Sequence, residues 1–293
     1  MPEELHPILV IYNPAAQGGA SRAVFNDYLD FLGSNGIHCK TYETIGDGVE
    51  LRLSQLMNEH TFNTISIIGG DGTINLTINS LPHFRTPIHI IPAGSGNDLA
   101  KMIYPDEILS LEMIYTRVLN KNPETRTVDV WRCNNQFFVN GFGCGFDGSI
   151  AYNTTFKKGI WGTKMKYWVE IVKHIFLYRS PTFSVNGVEH PTFMLSVANG
   201  KVYGGDFMVA PHANVSDGTL EVVRIDKLNI LKRLLNLPLM KKGGHLKKSF
   251  VSYSRAETVQ IKSKTPLLAH LDGEPIRETE YIITQESSLT ILC

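Results

Sequence analysis

Thr64-Ile65-Ser66-Ile67-Ile68-Gly69-Gly70-Asp71-Gly72-Thr73 is the stretch on which the fold turns. Its apolar, partly β-branched run stops at two glycines and passes into a helix-compatible segment, INLTINSL, so it reads as strand, turn and helix. Strands that are apolar at nearly every position are covered on both faces, as in a parallel sheet. The same unit recurs on either side. ILVIY at 8–12 is followed by the helical pattern SRAVFNDYLDFLG, in which Val24, Tyr28, Phe31 and Leu32 share a face and Gly33 supplies a stop. A strand near HCKTYET, a helix at GVELRLSQLMNEH and a strand at IHIIPA continue the series. Such alternation predicts an α/β domain with a parallel sheet wrapped by helices.

After about Thr127 the pattern changes to short strands: TVDVWRC, QFFVNGF, TFSVNG, TFMLSVANG, TLEVVRI, TVQIKS and LLAHLDG, with EYIITQESSLTILC as two closing strands. This spacing predicts an antiparallel sandwich or barrel. Helical pattern interrupts it at GTKMKYWVEIVKHIFLYRS and LNILKRLLNLPLMKKGG.

Composition excludes several classes. Lysine plus arginine and aspartate plus glutamate balance at 28 each, so no global field draws the chain to nucleic acid. Cys39, Cys133, Cys144 and Cys293 lie far apart and lack zinc-site spacing, which makes them reduced thiols. The start, MPEELHPILVIYNP, is acidic where a signal peptide would be basic, and no segment has the length of a membrane span. The expected location is the cytoplasm, with transient contact at the membrane.

Three glycine-bearing turns follow strands of the first domain: Asn13-Pro14-Ala15-Ala16-Gln17-Gly18-Gly19, Gly69 to Thr73, and Pro92-Ala93-Gly94-Ser95-Gly96-Asn97-Asp98. Turns that end neighbouring parallel strands line the edge where open α/β sheets bind ligands. Their backbone N–H groups and the following helix starts suit phosphate, and Asp71 suits a Mg²⁺ that bridges phosphate oxygens. An ordinary strand-to-helix turn is the other reading of each.

GGDGT, then PAGSGNDLA, then SDGTLEV and a late DGEP resemble, in order and spacing, the diacylglycerol kinase catalytic domain family, which includes sphingosine kinases and small bacterial lipid kinases. The resemblance implies a nucleotide-binding α/β domain like that of NAD kinases and phosphofructokinases, over 1–128 and completed by 279–293. It implies a mainly antiparallel β-sandwich domain over 129–278 that binds the lipid. By position, nucleotide contacts would fall on Asn13, Pro14, Ala15, Ala16, Gln17, Thr44, Gly69, Gly70, Asp71, Gly72, Thr73, Ile74, Asn75, Leu76 and Ser95. Glu274 would be the catalytic base, Asp71 would hold Mg²⁺, and Asp98 would orient the metal's water shell. A second Mg²⁺, as in bacterial members, would take Asn214, Asp217 and Thr219. NPAAQGG lacks the Ser-Gly pair common after NP in the family, and GSGND stands where GTxND is common; serine keeps the hydroxyl.

The implied reaction is transfer of the ATP γ-phosphate to a lipid hydroxyl, foremost that of diacylglycerol to give phosphatidic acid. An NAD kinase or other small-molecule kinase of the same fold, and a catalytically silent lipid-binding protein, are the alternatives. A homodimer is compatible with the reading.

Three further signals carry less. Gly143-Cys144-Gly145-Phe146-Asp147-Gly148 satisfies GxGxxG, yet no clean amphipathic helix begins at Ser149 and no second strand closes a βαβ unit, so it reads as a tight turn lining the lipid cleft. His270 lies two residues before Asp272, so in an extended strand both would face one way, and it reads as a structural histidine. In LNILKRLLNLPLMKKGGHLKK the leucines are expected against the core, leaving the lysines 241, 242, 247 and 248 for a membrane.

Overall fold

The structure, a computed structural model, describes residues 8–104, 110–156, 163–204 and 207–293. The first seven residues, and with them most of the acidic start read above, lie outside the described residues. The chain forms two compact units: residues up to Val128 joined by Ser287–Cys293, and Asp129–Glu286.

The first unit contains β1 (Ile8–Tyr12), α1 (Ser21–Ser34), β2 (Cys39–Glu43), α2 (Val49–Glu59), β3 (Thr64–Gly69), α3 (Asp71–Ser80), β4 (Ile88–Pro92), α4 (Asp98–Ile103) and α5 (Leu111–Tyr115). Its strands run β2-β1-β3-β4 in parallel, with the end of β13 (Glu274–Leu292) beside β4 through Ile291 and Ile88. All five residues of β1 are buried, as a strand covered on both faces requires. The buried stripe of α1 is Ser21, Phe25, Tyr28 and Leu32, which leaves Val24 and Phe31 partly covered at its margin. That helix runs through Gly33 to Ser34, and beyond it Gly36, with a φ of 68°, lets Ile37 N–H reach the Leu32 carbonyl at 2.9 Å. Beneath it Tyr28 Oη, Ser66 Oγ and His89 Nδ1 form a buried polar cluster, closed by His89 Nε2 and the Ile114 carbonyl at 2.9 Å. Burial without an acid partner pushes the His89 pKa down to about 3, so the imidazole is neutral.

The second unit begins in β5 (Thr125–Cys133) and contains β6 (Gln136–Phe138), β7 (Gly141–Gly145), α6 (Phe146–Phe156), α7 (Thr163–Leu177), β8 (Thr182–Val185), β9 (Val188–Ala198), β10 (Leu220–Asp226), α8 (Ile230–Asn236), β11 (Val251–Ala256), β12 (Thr258–Leu271) and most of β13. Its named pairings are antiparallel: β11 with β10, β10 with β9, β9 with β7, β7 with β12 and β12 with β13. Side-chain alternation gives β9 and β10 two apolar faces. Leu195, Val197, Leu220 and Val222 join Trp131, Phe142 and Tyr281 in the sandwich core, while Met194, Val223 and Ile225 pack with Phe146, Ile171 and Ile175 of the helices.

Four expectations change. QFFVNGF divides into β6 and β7, TVQIKS and LLAHLDG join as β12 across a register shift after Lys262, and the closing pair of strands is the single β13. A helix does start within the GxGxxG string, at Phe146, but the pairings of β7 with β9 and β12 are antiparallel, so among the described residues no βαβ unit forms there. The cysteines are free thiols; burial raises the pKa of Cys133 to about 12. No helix of the described residues is long and apolar enough to cross a membrane.

Candidate active site

Strands β1, β3 and β4 are in register, with Tyr12 beside Ile68 and Gly69 beside Pro92, so the three glycine-bearing turns leave one edge of the sheet. Their mutual contacts are specific. Gly70 and Gly94 touch through their backbones: a Cβ on Gly70 would sit 2.8 Å from Gly94 Cα. Only glycine permits that approach. Asp71 lies at the start of α3, where its Oδ2 accepts the N–H of Asp98 at 3.1 Å and its Oδ1 that of Leu99 at 3.2 Å. These are first-turn donors of α4, which have no acceptor within their own helix. From the first loop, Gln17 Nε2 donates to the Gly94 carbonyl at 2.7 Å, while Asn97 Oδ1 accepts the Gly94 N–H at 2.8 Å.

The remaining nucleotide candidates divide by exposure. Asn13 turns the first loop, its Oδ1 accepting Ala15 N–H at 2.9 Å and its carbonyl accepting Ser21 Oγ at 2.7 Å. Pro14 and Ala16 are half-buried in that loop, Ala15 and Gln17 exposed. Thr44 is tied by its N–H to the Tyr12 carbonyl at 3.0 Å, at the mouth of the same loop. Thr73, Ile74 and Asn75 are buried in α3 and Leu76 half-buried, whereas Gly72 and Ser95 are exposed. A Cβ on Gly69 would strike the Thr73 side chain, so this glycine serves packing within the turn. Asp98 is 5% exposed, with Lys101 Nζ 3.8 Å from its Oδ1. Asp71, read from sequence as part of a loop, is therefore the first residue of a helix, and its carboxylate joins two of the three turns.

In the second unit Leu271 pairs with Glu274 across a two-residue turn, Asp272-Gly273, with φ of 51° and 95°. Two consecutive left-handed residues are what a tight antiparallel hairpin demands, and Asp-Gly supplies them. The turn is anchored by Asp272, whose Oδ1 accepts the N–H groups of Asn140 at 2.9 Å and Gly141 at 2.8 Å, and whose Oδ2 accepts that of Val139 at 3.0 Å. Glu274 follows at the start of β13 and is exposed. Because Asp272 lies in the turn, it does not share a strand face with His270. His270 is 5% exposed; its Nδ1 accepts the Gly273 N–H at 3.3 Å and its Nε2 lies 3.5 Å from Asp147 Oδ2. Tyr203 Oη donates to the same oxygen at 3.3 Å. Gly143, opposite His270 in β7, leaves room for this group: a Cβ there would collide with both Asp147 and His270. Asp147 and Tyr203 are the residues that sequence reasoning missed. The GxGxxG string contains Asp147, but its significance is the pairing of Gly143 with His270.

The third constellation departs from expectation. Asn214 Oδ1 accepts the Ser216 N–H at 3.3 Å, and Asp217 Oδ1 accepts Thr219 N–H at 3.1 Å and Thr219 Oγ1 at 2.9 Å. The other Asp217 oxygen and Thr219 Oγ1 both meet the guanidinium of Arg255, which also lies 3.4 Å from Glu221. Asp129, held above the usual carboxylate range chiefly by burial, turns its Oδ2 to the Gly218 N–H at 2.8 Å. The loop thus closes on an arginine, which engages the side chains of Asp217 and Thr219. Among the described residues no three His, Cys, Asp or Glu side chains converge as metal ligands.

Comparison with known proteins agrees with this division of the chain. Residues 7–133 match the diacylglycerol kinase catalytic domain, and residues 143–288 match the YegS C-terminal NAD kinase beta sandwich-like domain. These matched domains mark the chain as a kinase. More particularly, the chain belongs to the diacylglycerol kinase catalytic domain family, a family of lipid kinases. A diacylglycerol kinase of Staphylococcus aureus is 27% identical over 277 residues, covering 90% of this chain and 85% of that protein. One from Staphylococcus haemolyticus is 24% identical, covering 90% and 81%. The solved structure of a diacylglycerol kinase from Bacillus anthracis str. Sterne shares the fold, with a TM-score of 0.74 at 19% identity over 99% of this chain and 97% of that one.

Proposed function

We propose that this kinase transfers the γ-phosphate of ATP to the hydroxyl of diacylglycerol, giving phosphatidic acid and ADP, as a step in phospholipid synthesis carried out from the cytoplasm at a membrane surface. The observation that carries the reading is the Asp272 anchor. A carboxylate accepting three backbone N–H bonds fixes the turn from which Glu274 emerges, and a fixed, exposed carboxylate at the end of a rigid strand suits a general base.

Glu274 takes the acceptor's proton as its oxygen attacks the γ-phosphorus; the new P–O bond forms while the bond to the β,γ-bridging oxygen breaks. In the first unit, the exposed Gly72 and Ser95 and the N–H groups of Asp71 and Gly72 at the start of α3 are the groups offered to the phosphates. Asp71 fits a Mg²⁺ carried with ATP, because each of its oxygens accepts a single N–H in the structure and keeps a lone pair. The ion would supply charge neutralisation on the phosphate oxygens. Asp98, nearly buried, acts through its N–H by holding Asp71.

Radiolabelled ATP incubated with diacylglycerol, phosphatidylglycerol, sphingosine and ceramide in mixed micelles, and separately with NAD, tests the reading. Label should enter the lipid phase as phosphatidic acid. NADP formation without labelled lipid would assign the site to a small-molecule acceptor instead.

A further inference from the structure

Helix α8 is amphipathic in the reverse sense. Its arginine faces inward: Arg233 is 7% exposed, donating from Nε to the Leu228 carbonyl at 3.1 Å and from Nη1 to the Ile175 carbonyl at 2.9 Å, with its guanidinium over the Phe193 ring. Its aliphatic side chains face outward, with Ile230 at 43%, Leu231 at 64%, Leu234 at 44% and Leu235 at 65% exposure. Of the leucines expected against the core, Leu228 is buried and Leu237 and Leu246 pack on it, whereas Leu231, Leu234 and Leu235 lie outside it. The bond from Arg233 to Ile175 ties α8 to α7, which is also partly uncovered. There Ile171 and Ile175 are buried, while Val169, Val172, Phe176 and Leu177 are each more than half exposed. Large apolar side chains left exposed on two joined helices are the kind of surface that marks an interaction site.

Charge selects the occupant. From Lys227 to Lys248 the sequence holds six lysines and Arg233 without one acidic residue, in a chain whose charges balance overall. All six lysines are exposed. A second copy docked through the same face would bring lysines against lysines. An anionic bilayer takes aliphatic side chains at the acyl boundary and lysines at its phosphates.

We infer that α7 and α8 form a docking face that lies on anionic phospholipid bilayers, with the aliphatic residues of α8 at the headgroup boundary and the lysines of 227–248 around them. Its purpose, delivery of the site to a lipid acceptor, rests on the function proposed above; the face itself does not.

Sedimentation of the full chain with sucrose-loaded phosphatidylcholine vesicles, with and without about 30 mol% phosphatidylglycerol, tests the inference. Leu231→Gln with Leu235→Gln should lower the partition coefficient about tenfold or more, because two exposed leucines lose their burial. Lys247→Gln with Lys248→Gln should lower it about tenfold on the anionic vesicles only. Both variants should keep the wild-type circular dichroism and turnover on a short-chain, monomeric diacylglycerol. Unchanged vesicle binding in both variants overturns the inference. So does concentration-dependent self-association in the ultracentrifuge that the leucine variant abolishes while its vesicle binding persists. Absence of diacylglycerol turnover in any form, combined with the expected loss of vesicle binding, refutes the proposed substrate and supports the docking face.

Discussion

Asp71→Ala should destabilise the first unit as well as stop turnover, because the carboxylate is structural before it is catalytic. In the structure it accepts the N–H groups of Asp98 and Leu99, residues that are 5% and 1% exposed. Removing a side-chain cap costs about 0.5–2 kcal/mol, and a buried N–H left without an acceptor costs about 1–3 kcal/mol. Partial access of water at the half-buried Asp71 offsets some of this, so about 2 kcal/mol is the working figure. For a chain of this size that is a fall in Tm of roughly 4–8 °C. Asp71→Asn keeps one carbonyl oxygen and should lose about half as much. Gly96→Ala gives an independent check, since its Cβ would lie 2.9 Å from Asp71 Oδ2 and push the same carboxylate away. Scanning calorimetry of the three variants, with turnover measured well below each Tm, separates the roles. An Asp71→Ala protein melting within 1 °C of wild type refutes the cap. Full turnover by Asp71→Asn at low temperature refutes a further part in phosphoryl transfer.

Three more outcomes are expected. His89, neutral when folded with a pKa near 3, is protonated first in the unfolded chain as pH falls below its ordinary value near 6.5. Stability should therefore decline between about pH 6.5 and 3, by up to ~1.4 kcal/mol per pH unit from this group; urea melts of His89→Gln should show a shallower decline, and an unchanged slope would contradict the assignment. Arg255→Gln should lower Tm, and Mg²⁺ should leave the wild-type Tm unmoved because the guanidinium holds Asp217 and Thr219; a Mg²⁺-dependent rise lost in Asp217→Asn would restore the metal site. Glu274→Gln should melt within about 2 °C of wild type yet lose about 10²–10⁴-fold in kcat, whereas Asp272→Ala should lose stability first, since three backbone N–H groups lose their acceptor; retention of half the wild-type kcat by Glu274→Gln would move the base elsewhere.

The α/β unit was legible because its strands β1, β3 and β4 are largely apolar, a signal set by burial on both faces that depends on no partner's identity. Where the sequence misled, long-range contacts decided. The closing strands EYIITQESSLTILC form one strand, since β13 finds β12 along one part and β4 along another, and the polar Gln285-Glu286-Ser287-Ser288 does not turn. Nothing local in ILKRLLN indicates that the arginine goes inside, because that choice depends on the Ile175 carbonyl more than fifty residues away. The DGE turn could be read for its φ angles, but Asp272's bonds to residues 139–141 could not.

Exposure then divides the motif residues by task. In the two glycine-rich strings of the first unit, Gly70 and Gly94 touch each other, Asp71 caps α4 and Asn97 pins Gly94. In the hairpin of the second unit, Asp272 holds backbone and His270 supports Gly273. Each of these side chains or backbones holds part of the protein's own structure, and Asp71 keeps in addition the lone pairs proposed for Mg²⁺. Gly72, Ser95 and Glu274 are exposed members of the same strings. A sequence string therefore contains both the clamp and the contact, and matching it does not tell them apart. Substituting a clamp should move Tm and turnover together, and substituting a contact should move turnover alone, so the pairing of the two measurements, residue by residue, assigns the site.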